Sequence, residues 1–291
     1  MDTSINSQTK LYTLVGYPVS HSISPVIQNS IFAAKQCNSK YITLAVRPES
    51  LKEAVTVLKE NFRGFNVTIP HKQAIMDYLD VIEPKALLCG AVNTVKNDNG
   101  RLTGYNTDGY GFMKAFQKLN IEMAHKEVLL IGAGGAARAV LCELLQHHCS
   151  VTVINRTEAK AKSLQRELSG NFPGLLTVIS DWHQLQARYD CLINTTSLGM
   201  EPNRSVSPID SPYLSRFSIV YDLVYNPFET KLLAEAKRRG CMTVNGLPML
   251  FYQAVAANQI WTDSVLPGKT EQELYEKTIR YLQPLVEKSL Q

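Results

Sequence analysis

The chain lacks blocks of basic residues and any long uninterrupted apolar run. Its 291 residues carry a formal net charge of +4, and the lysines and arginines are scattered along the sequence. Scattered, mildly basic charge argues against a nucleic acid or a membrane surface as the partner, and no apolar run has the length of a transmembrane helix. We therefore expect no nucleic-acid partner and no membrane partner. A small anionic ligand suits this charge.

The sequence also lacks a Cys-x-x-Cys pair, although it has six cysteines. These cysteines stand mostly among apolar neighbours, which favours free thiols in a reducing compartment over disulfides or zinc. His147 and His148 are adjacent and would point to different helix faces, so we expect no metal site. The first residues show neither the basic nor the apolar region of a secretory signal. The sequence predicts a cytoplasmic protein.

What the sequence does contain is a glycine loop near its middle. Residues 132–138 read Gly-Ala-Gly-Gly-Ala-Ala-Arg, after an apolar run over 128–131 and before a helical pattern. In this G-x-G-x-x-A pattern, Gly132 makes a tight turn, Gly134 lets the backbone approach a pyrophosphate, and the small Ala137 lets helix pack on strand. The free N–H groups of the following helix favour phosphate. The motif predicts a dinucleotide-binding Rossmann domain.

The end of the next strand indicates which dinucleotide binds. In NAD-binding domains, an acidic residue about 20 residues after the glycines holds the ribose 2′-hydroxyl. Here the strand over 150–154 ends in Asn155, Arg156 and Thr157, with no carboxylate among them. A guanidinium binds a 2′-phosphate well, so the sequence predicts NADP, with Lys160 as a further cation. The alternative is an ordinary βαβ unit with an exposed arginine.

The position of the glycine loop leaves room for a separate domain before it. Residues 1–110 alternate strands and helices, which predicts a mostly parallel sheet, with a hairpin turn at Asn99-Gly100. Residues 111–246 form the NADP-binding Rossmann domain, and the helical residues 247–291 pack back on the first domain. We expect a two-domain α/β protein with a cleft between its domains. The predicted elements of the first domain are strands at 11–16, 41–46, 64–68, 91–96 and 101–105, and helices at 25–35 and 51–60.

Lys72 is the first candidate for acid/base chemistry. It follows the predicted strand in the segment Asn-Val-Thr-Ile-Pro-His-Lys, residues 66–72. Pro70 suits the first position of a helix, which would place Lys72 in the first helical turn. The positive end of the helix dipole opposes a cation there and would favour a neutral, proton-accepting amine. The alternative is a solvated lysine on a surface turn.

Asp108 is the second candidate, in the segment Gly-Tyr-Asn-Thr-Asp-Gly over 104–109. It could simply cap the helix predicted from Tyr110. However, Lys72 and Asp108 both follow strands of the same small domain. A lysine beside a carboxylate forms the proton-transfer pair that hydride transfer to a carbonyl requires.

Ser22 and Ser24 stand at the start of a predicted helix, in the segment Gly-Tyr-Pro-Val-Ser-His-Ser-Ile-Ser-Pro over 16–25. Their hydroxyls can cap that helix, or they can bind a ligand carboxylate beside its N-terminal dipole. The residues alone leave both roles open.

Nine motifs in register resemble the shikimate dehydrogenase family, over essentially the whole chain. One departure is Gln28, where that family often has histidine. The motifs are Gly-x-Pro-x-x-His-Ser-x-Ser-Pro (16–25), Asn-Val-Thr-x-Pro-x-Lys (66–72), Gly-Ala-Val-Asn-Thr (90–94), Gly-x-Asn-Thr-Asp-x-x-Gly (104–111), Gly-Ala-Gly-Gly-Ala (132–136), Asn-Arg-Thr-x-x-Lys-Ala (155–161), Asn-Thr-Thr-Ser-Leu-Gly-Met (194–200), Tyr-Asp-Leu-Val-Tyr-Asn-Pro (221–227) and Gln-Ala (253–254).

The resemblance implies the reversible, NADPH-dependent reduction of 3-dehydroshikimate to shikimate, on the route to chorismate and the aromatic amino acids. It implies that Lys72 is the catalytic acid/base and that Asp108 is its partner, which also holds a substrate hydroxyl. It further implies that Ser22 and Ser24 take the substrate carboxylate. The residues implied to hold the rest of the substrate ring are Thr68, Asn93, Tyr225 and Gln253.

The resemblance also implies three groups of cofactor-binding residues. Met249 and Gln253 are four residues apart, so one helix face could serve both ligands, although core packing is the alternative for Met249. The groups are Gly132, Ala133, Gly134, Gly135 and Ala136 for the pyrophosphate; Asn155, Arg156, Thr157 and Lys160 for the 2′-phosphate; and Thr195, Leu223, Gly246 and Met249 towards the nicotinamide.

Two other functions stay open from the sequence. A dual quinate/shikimate dehydrogenase differs in the space it needs near the serine pair, and Arg156 argues only against its use of NAD. A non-catalytic NADP-binding regulator on the same scaffold would not need both Lys72 and Asp108. The sequence leaves both a monomer and a homodimer open.

Overall fold

The computed structural model describes residues 5–288, and side chains for residues 5–282. The chain forms two compact units. The first unit comprises the residues up to Gly111 together with Leu250–Tyr281, and the second comprises Phe112–Met249 with the end of the last helix from Leu282. Each unit is built around its own six-stranded sheet.

The first unit alternates strands and helices. Its short β4 follows a 3₁₀ turn over Ala74–Tyr78, and its two long C-terminal helices complete it. The elements are β1 (Lys10–Gly16), α1 (Ser24–Ala34), β2 (Ser39–Ala45), α2 (Leu51–Asn61), β3 (Gly64–Val67), β4 (Val81–Ile82), α3 (Pro84–Cys89), β5 (Thr94–Asp98), β6 (Arg101–Tyr105), the start of α4 (Asp108–Lys118), most of α8 (Leu247–Thr262) and most of α9 (Gly268–Lys288).

The sheet of the first unit has the order β2-β1-β3-β5-β6-β4. Parallel pairing joins β1 to β2, β1 to β3, and β4 to β6, whereas β5 runs antiparallel to both of its neighbours. The carboxyl ends of β1, β2, β3 and β6 therefore lie along one edge, together with the start of β5. This edge is where the site residues of the first unit gather.

Helices α1 and α8 pack on this sheet through apolar and polar contacts. Tyr12 packs between Phe32 of α1 and Trp261 of α8, at ring-centroid distances of 4.8 and 5.0 Å. The Trp261 indole also donates a 2.9 Å hydrogen bond to the carbonyl of Val95 in β5. Gln28, the departure noted in the sequence, is fully buried and donates to the Ala254 carbonyl, so it ties α1 to α8.

The second unit has the strand order β12-β11-β10-β7-β8-β9, and all of its strand pairs are parallel. This is the order of the dinucleotide-binding fold, in which the order of the strands in the sheet reverses between β7 and β10. Its elements are β7 (Glu127–Ile131), α5 (Gly135–Gln146), β8 (Ser150–Ile154), α6 (Glu158–Ser169), β9 (Leu176–Ile179), β10 (Tyr189–Asn194), β11 (Phe217–Asp222), α7 (Lys231–Arg238) and β12 (Met242–Val244).

The predicted elements agree with the structure apart from their ends. One difference concerns the strand before the Asn99-Gly100 turn, which begins at Thr94 and not at Ala91. The Val92 N–H donates to the carbonyl of Lys72 and is not available to a neighbouring strand. This contact fixes the loop that carries Lys72 against the residues that precede β5.

Candidate active site

The loop after β3 carries Lys72, and two contacts hold it at the edge of the sheet. The carbonyl of Lys72 accepts the Val92 N–H at 2.8 Å. His71 is 1 % exposed, and its Nε2 donates to the carbonyl of Val46 at 2.7 Å, which anchors the loop to the end of β2. The loop is therefore fixed on both sides of the lysine side chain.

The prediction that Lys72 lies in the first turn of a helix is wrong. Lys72 precedes the 3₁₀ turn, which begins at Ala74, because its carbonyl is bound to residue 92 and not within a helix. A helix dipole therefore does not explain its chemistry. The charge that acts on this amine comes from a neighbouring carboxylate.

Lys72 and Asp108 form a direct ion pair. Nζ of Lys72 lies 2.5 Å from Oδ2 of Asp108, and the side chains are 13 % and 8 % exposed. Asp108 is the first residue of α4, but its side chain does not act as the helix cap: Asn106 does, because Oδ1 of Asn106 accepts the N–H of Asp108. Both oxygens of Asp108 are thus free to face side chains of the site.

Asn93 holds the second oxygen of Asp108. Its Nδ2 donates to Oδ1 of Asp108 at 2.8 Å and also lies within hydrogen-bond distance of Thr107 Oγ1 and Gln253 Oε1. Its Oδ1 accepts from the N–H of Thr107 and from the hydroxyl of Thr94, which fixes the orientation of the amide. The predicted residues Lys72, Asn93, Asp108 and Gln253 are therefore in one hydrogen-bonded cluster.

A buried layer behind this cluster was missed by sequence reasoning. Asn66 donates from its side chain to the Asn93 carbonyl and to the Thr94 hydroxyl, and it accepts the hydroxyl of Tyr41 at 2.8 Å. Burial raises the pKa of Tyr41 well above its usual range, so this hydroxyl stays a hydrogen-bond donor. Asn66 and Thr107 lie inside recognised motifs, but Tyr41 has no sequence signal because its partner is 25 residues away.

Thr68, Ser22 and Ser24 belong to the same unit. Thr68 directly follows β3, and its N–H donates to the carbonyl of Val15 in β1. Ser22 accepts the N–H of Ser24 at 3.2 Å at the start of α1, so its oxygen supports the helix end while the hydroxyl proton remains available. Ser24 is buried, and Ser22 is partly exposed. Tyr225 lies in the second unit, after β11, and is partly exposed.

In the second unit, the parallel strands place the predicted cofactor residues along one edge of the sheet. Each group follows the carboxyl end of a strand, which is where open α/β sheets bind their ligands. The glycine loop follows β7, Arg156 follows β8, Thr195 follows β10, Leu223 follows β11 and Gly246 follows β12.

The glycine loop has the geometry that a pyrophosphate needs. Gly132 has a φ of +116°, and a Cβ there would collide with the hydroxyl of Thr195. A Cβ on Gly134 would meet nothing within 4 Å, so the space in front of it is open. Gly134 is the N-cap of α5 and supplies no side-chain cap, which leaves first-turn N–H groups for an anion. The loop therefore fits a dinucleotide phosphate.

The end of β8 offers cations and little competing negative charge. Arg156 and Lys160 are exposed, and Asn155 bonds to the carbonyl of Thr157. The next carboxylate, Glu158, is paired with Lys162 at 2.6 Å. This donor set suits a 2′-phosphate.

Contacts with backbone carbonyls fix the residues that are expected near the nicotinamide. Thr195 donates from both its N–H and its hydroxyl to the Ile131 carbonyl, so it is fixed beside the glycine loop. A Cβ on Gly246 would collide with the carbonyl of Leu223, so only glycine allows this approach. Met249 is 7 % exposed and lies in the first turns of α8.

The described part of the chain has neither a membrane-spanning helix nor a cluster of metal ligands. Within residues 5–288, no helix is both long and apolar enough to cross a membrane. Among the described side chains of residues 5–282, no group of three or more His, Cys, Asp or Glu is arranged to hold a metal ion.

Comparison with known proteins identifies the family of this chain. Residues 14–95 match the shikimate dehydrogenase substrate binding domain, and residues 114–201 match the shikimate/quinate 5-dehydrogenase family. The shikimate dehydrogenase (NADP⁺) of Methanococcus aeolicus is 45 % identical over 261 residues, which cover 89 % of this chain and 94 % of that protein.

Solved structures agree with this assignment. A shikimate dehydrogenase in complex with NADP⁺ is 39 % identical, with a TM-score of 0.85 over 95 % of this chain and 98 % of that one. Shikimate 5-dehydrogenase from Thermus thermophilus, in complex with NADP(H) and shikimate, is 33 % identical, with a TM-score of 0.83 over 92 % of this chain and 99 % of that one. The prediction of a two-domain α/β fold with a Rossmann domain is confirmed, and the chain belongs to the shikimate dehydrogenase family.

Proposed function

We propose that Lys72 and Asp108 carry out the proton transfer of an NADP-dependent shikimate dehydrogenase, which reversibly reduces 3-dehydroshikimate to shikimate. The observation that carries this proposal is the ion pair of Lys72 and Asp108, held by Asn93. Bound NADPH supplies the hydride. Nζ of Lys72 donates a proton to the carbonyl oxygen in the reduction and takes it back in the oxidation, while Asp108 stabilises the ammonium form.

In this proposal the first unit provides the substrate residues apart from Tyr225, and the second unit provides Tyr225 and the cofactor residues. Ser22 and Ser24 take the substrate carboxylate, and Thr68, Asn93, Tyr225 and Gln253 hold the ring hydroxyls and oxygens. The match of residues 14–95 to a substrate binding domain supports the first assignment. We assign residues 1–110 with 247–291 to the substrate domain, and residues 111–246 to the NADP domain. Of the C-terminal stretch, Leu250–Tyr281 belongs to the first compact unit, whereas Leu247–Met249 and the residues from Leu282 belong to the second.

The pyrophosphate of the cofactor binds at the glycine loop from Gly132 to Ala136, and its 2′-phosphate binds at the cations that follow β8. First-turn N–H groups of α5 bind the pyrophosphate, and Arg156, with Asn155, Thr157 and Lys160, binds the 2′-phosphate. Relatives named shikimate dehydrogenase (NADP⁺), and one that was crystallised in complex with NADP⁺, support this preference. Thr195, Leu223, Gly246 and Met249 line the path towards the nicotinamide.

A spectrophotometric assay tests this function. Shikimate and quinate are each offered with NADP⁺ and with NAD⁺, and reduction of the cofactor is followed at its absorbance band. We expect turnover of shikimate with NADP⁺ to exceed the other three combinations. Equal turnover of quinate would instead establish a dual-specificity enzyme. This is the second candidate, because residues 114–201 match the shikimate/quinate 5-dehydrogenase family. No turnover with any combination would contradict catalysis altogether.

A further inference from the structure

Asp222, the last residue of β11, is a buried carboxylate with no role in the chemistry described above. Its side chain is 0 % exposed. Oδ1 accepts from the side chain of Asn194 at 2.9 Å and from the N–H of Val224 at 3.1 Å, and Oδ2 accepts from the hydroxyl of Thr230 at 2.6 Å. Among the described residues it has no salt bridge. A buried charge without a neighbouring cation lowers the stability of the fold unless hydrogen bonds compensate it. The hydrogen-bond partners of Asp222 therefore indicate which segments it holds in place.

The partners of Asp222 lie on three different elements. Asn194 ends β10, and its Oδ1 accepts from the N–H and the hydroxyl of Thr196. Thr230 is the N-cap of α7, where its hydroxyl oxygen accepts the N–H of Leu233. Val224 belongs to the turn after β11. One carboxylate therefore connects the ends of two parallel strands with the start of a helix.

The turns that this carboxylate connects carry the residues assigned to the cofactor. Thr195 stands between Asn194 and Thr196, and Leu223 stands between Asp222 and Val224. Gly246 donates its N–H to the Val224 carbonyl at 3.1 Å. The positions of all three cofactor residues therefore depend on the turns that Asp222 holds.

We propose that Asp222 is a positioning residue for the nicotinamide half of the dinucleotide, acting through Asn194 and Val224 on the turns that carry Thr195 and Leu223. The proposal rests on the cofactor site proposed above. Asp222 itself does not touch the cofactor. It acts on the ends of β10 and β11, whereas the 2′-phosphate residues follow β8.

Two ligands separate this role from general support of the fold. Binding of NADPH and of adenosine 2′,5′-bisphosphate, which has no nicotinamide, is measured by fluorescence and calorimetric titration. Asp222→Ala should raise the Kd of NADPH about tenfold, which corresponds to about 1.4 kcal/mol, and leave the Kd of the bisphosphate unchanged. Asp222→Asn keeps an oxygen for Asn194 and Val224 and should restore most of the NADPH affinity.

Val220→Ala is the matched control, because Val220 is a fully buried apolar side chain two residues before Asp222 in the same strand and belongs to the apolar core of the second unit. It should lower the melting temperature without changing either Kd. The proposal is overturned if Asp222→Ala binds NADPH as tightly as Val220→Ala does, or if it weakens both ligands equally.

Two further outcomes keep the test decisive. If Asp222→Ala does not fold, Asn194→Ala removes the side-chain donor to Oδ1 through which Asp222 acts on the turn of Thr195, and an unchanged NADPH Kd in that variant overturns the proposal. If the unsubstituted protein fails to bind either ligand, the cofactor site itself is wrong. Normal NADPH binding by every Asp222 variant would instead contradict the positioning role alone.

Discussion

The side-chain amide of Asn93 donates a 2.8 Å hydrogen bond to Oδ1 of Asp108. The other oxygen of Asp108 accepts from Lys72. The carboxylate is therefore held between an amide and an ammonium group, and its orientation does not depend on bound substrate. A preorganised pair of this kind costs little rearrangement when the proton moves.

Lys72→Ala should lower kcat by roughly 10²- to 10⁴-fold, with a smaller change in KM, because it removes the positioned proton donor. The double variant with Asp108→Asn should be little worse than the poorer single variant, since residues that act as one unit are not additive. Steady-state kinetics across pH measures both effects. A near-normal kcat in Lys72→Ala, or losses that multiply, would contradict the shared role.

Much of this site could be predicted from the sequence because its residues sit in short motifs after strands. The alternation of strands and helices predicts one sheet edge for Lys72 and Asp108, and the edge brings them together. The prediction that Lys72 is helical is wrong because the local sequence pattern does not show the hydrogen bond from the Val92 N–H to the Lys72 carbonyl. Tyr41 and Asp222 act through partners distant in sequence, and no local signal marks such contacts.

Tyr41→Phe should reduce the free energy of unfolding of the protein by about 1–3 kcal/mol, because Oδ1 of the buried Asn66 loses its donor. Tyr12→Phe is the matched control: Tyr12 is also buried, and no hydrogen bond of its hydroxyl is found among the described residues. Thermal and denaturant unfolding measure the two losses. Equal losses would show that the hydroxyl of Tyr41 contributes nothing specific.

Ser22→Ala should mainly raise the KM for shikimate, because a hydroxyl that binds the carboxylate does so in both the ground state and the transition state. The same change also removes the acceptor for the Ser24 N–H, with a loss of about 1 kcal/mol in stability. Ser30→Ala, on the same helix, is the control for general effects. If a double Ser22→Ala, Ser24→Ala variant keeps normal kinetics and loses only stability, the serines cap the helix and nothing more.

Arg156→Ala should weaken NADP binding strongly and leave NAD binding nearly unchanged, because only NADP has the 2′-phosphate that the guanidinium grips. Titration of the protein with both cofactors measures the two affinities. Arg166→Ala, on the helix that follows β8, is a control for the loss of one positive charge from this unit. Equal losses for NADP and NAD would rule out the 2′-phosphate role.

Asp222 should make the free energy of unfolding of the protein depend on pH. Burial raises the pKa of this carboxyl from 3.8 to about 6, against the lowering effect of hydrogen bonds from Thr230, Val224 and Asn194. An acid whose pKa is higher in the folded state binds its proton more tightly there. The stability that the raised pKa of Asp222 contributes is therefore fully present below about pH 4. It falls as the pH rises to about 6 and is absent above that.

Asp222→Asn has no such proton to lose. Its free energy of unfolding relative to the unsubstituted protein should therefore rise between pH 4 and pH 8, by about 3 kcal/mol for a pKa change of about two units. Denaturant unfolding of both proteins across this range measures the difference and cancels groups that titrate alike in the two. Asp210→Asn makes the same substitution at an exposed carboxylate of the same unit and is the control for the loss of one negative charge. A difference for Asp222→Asn that stays constant from pH 4 to pH 8 would mean that burial does not raise the pKa of Asp222.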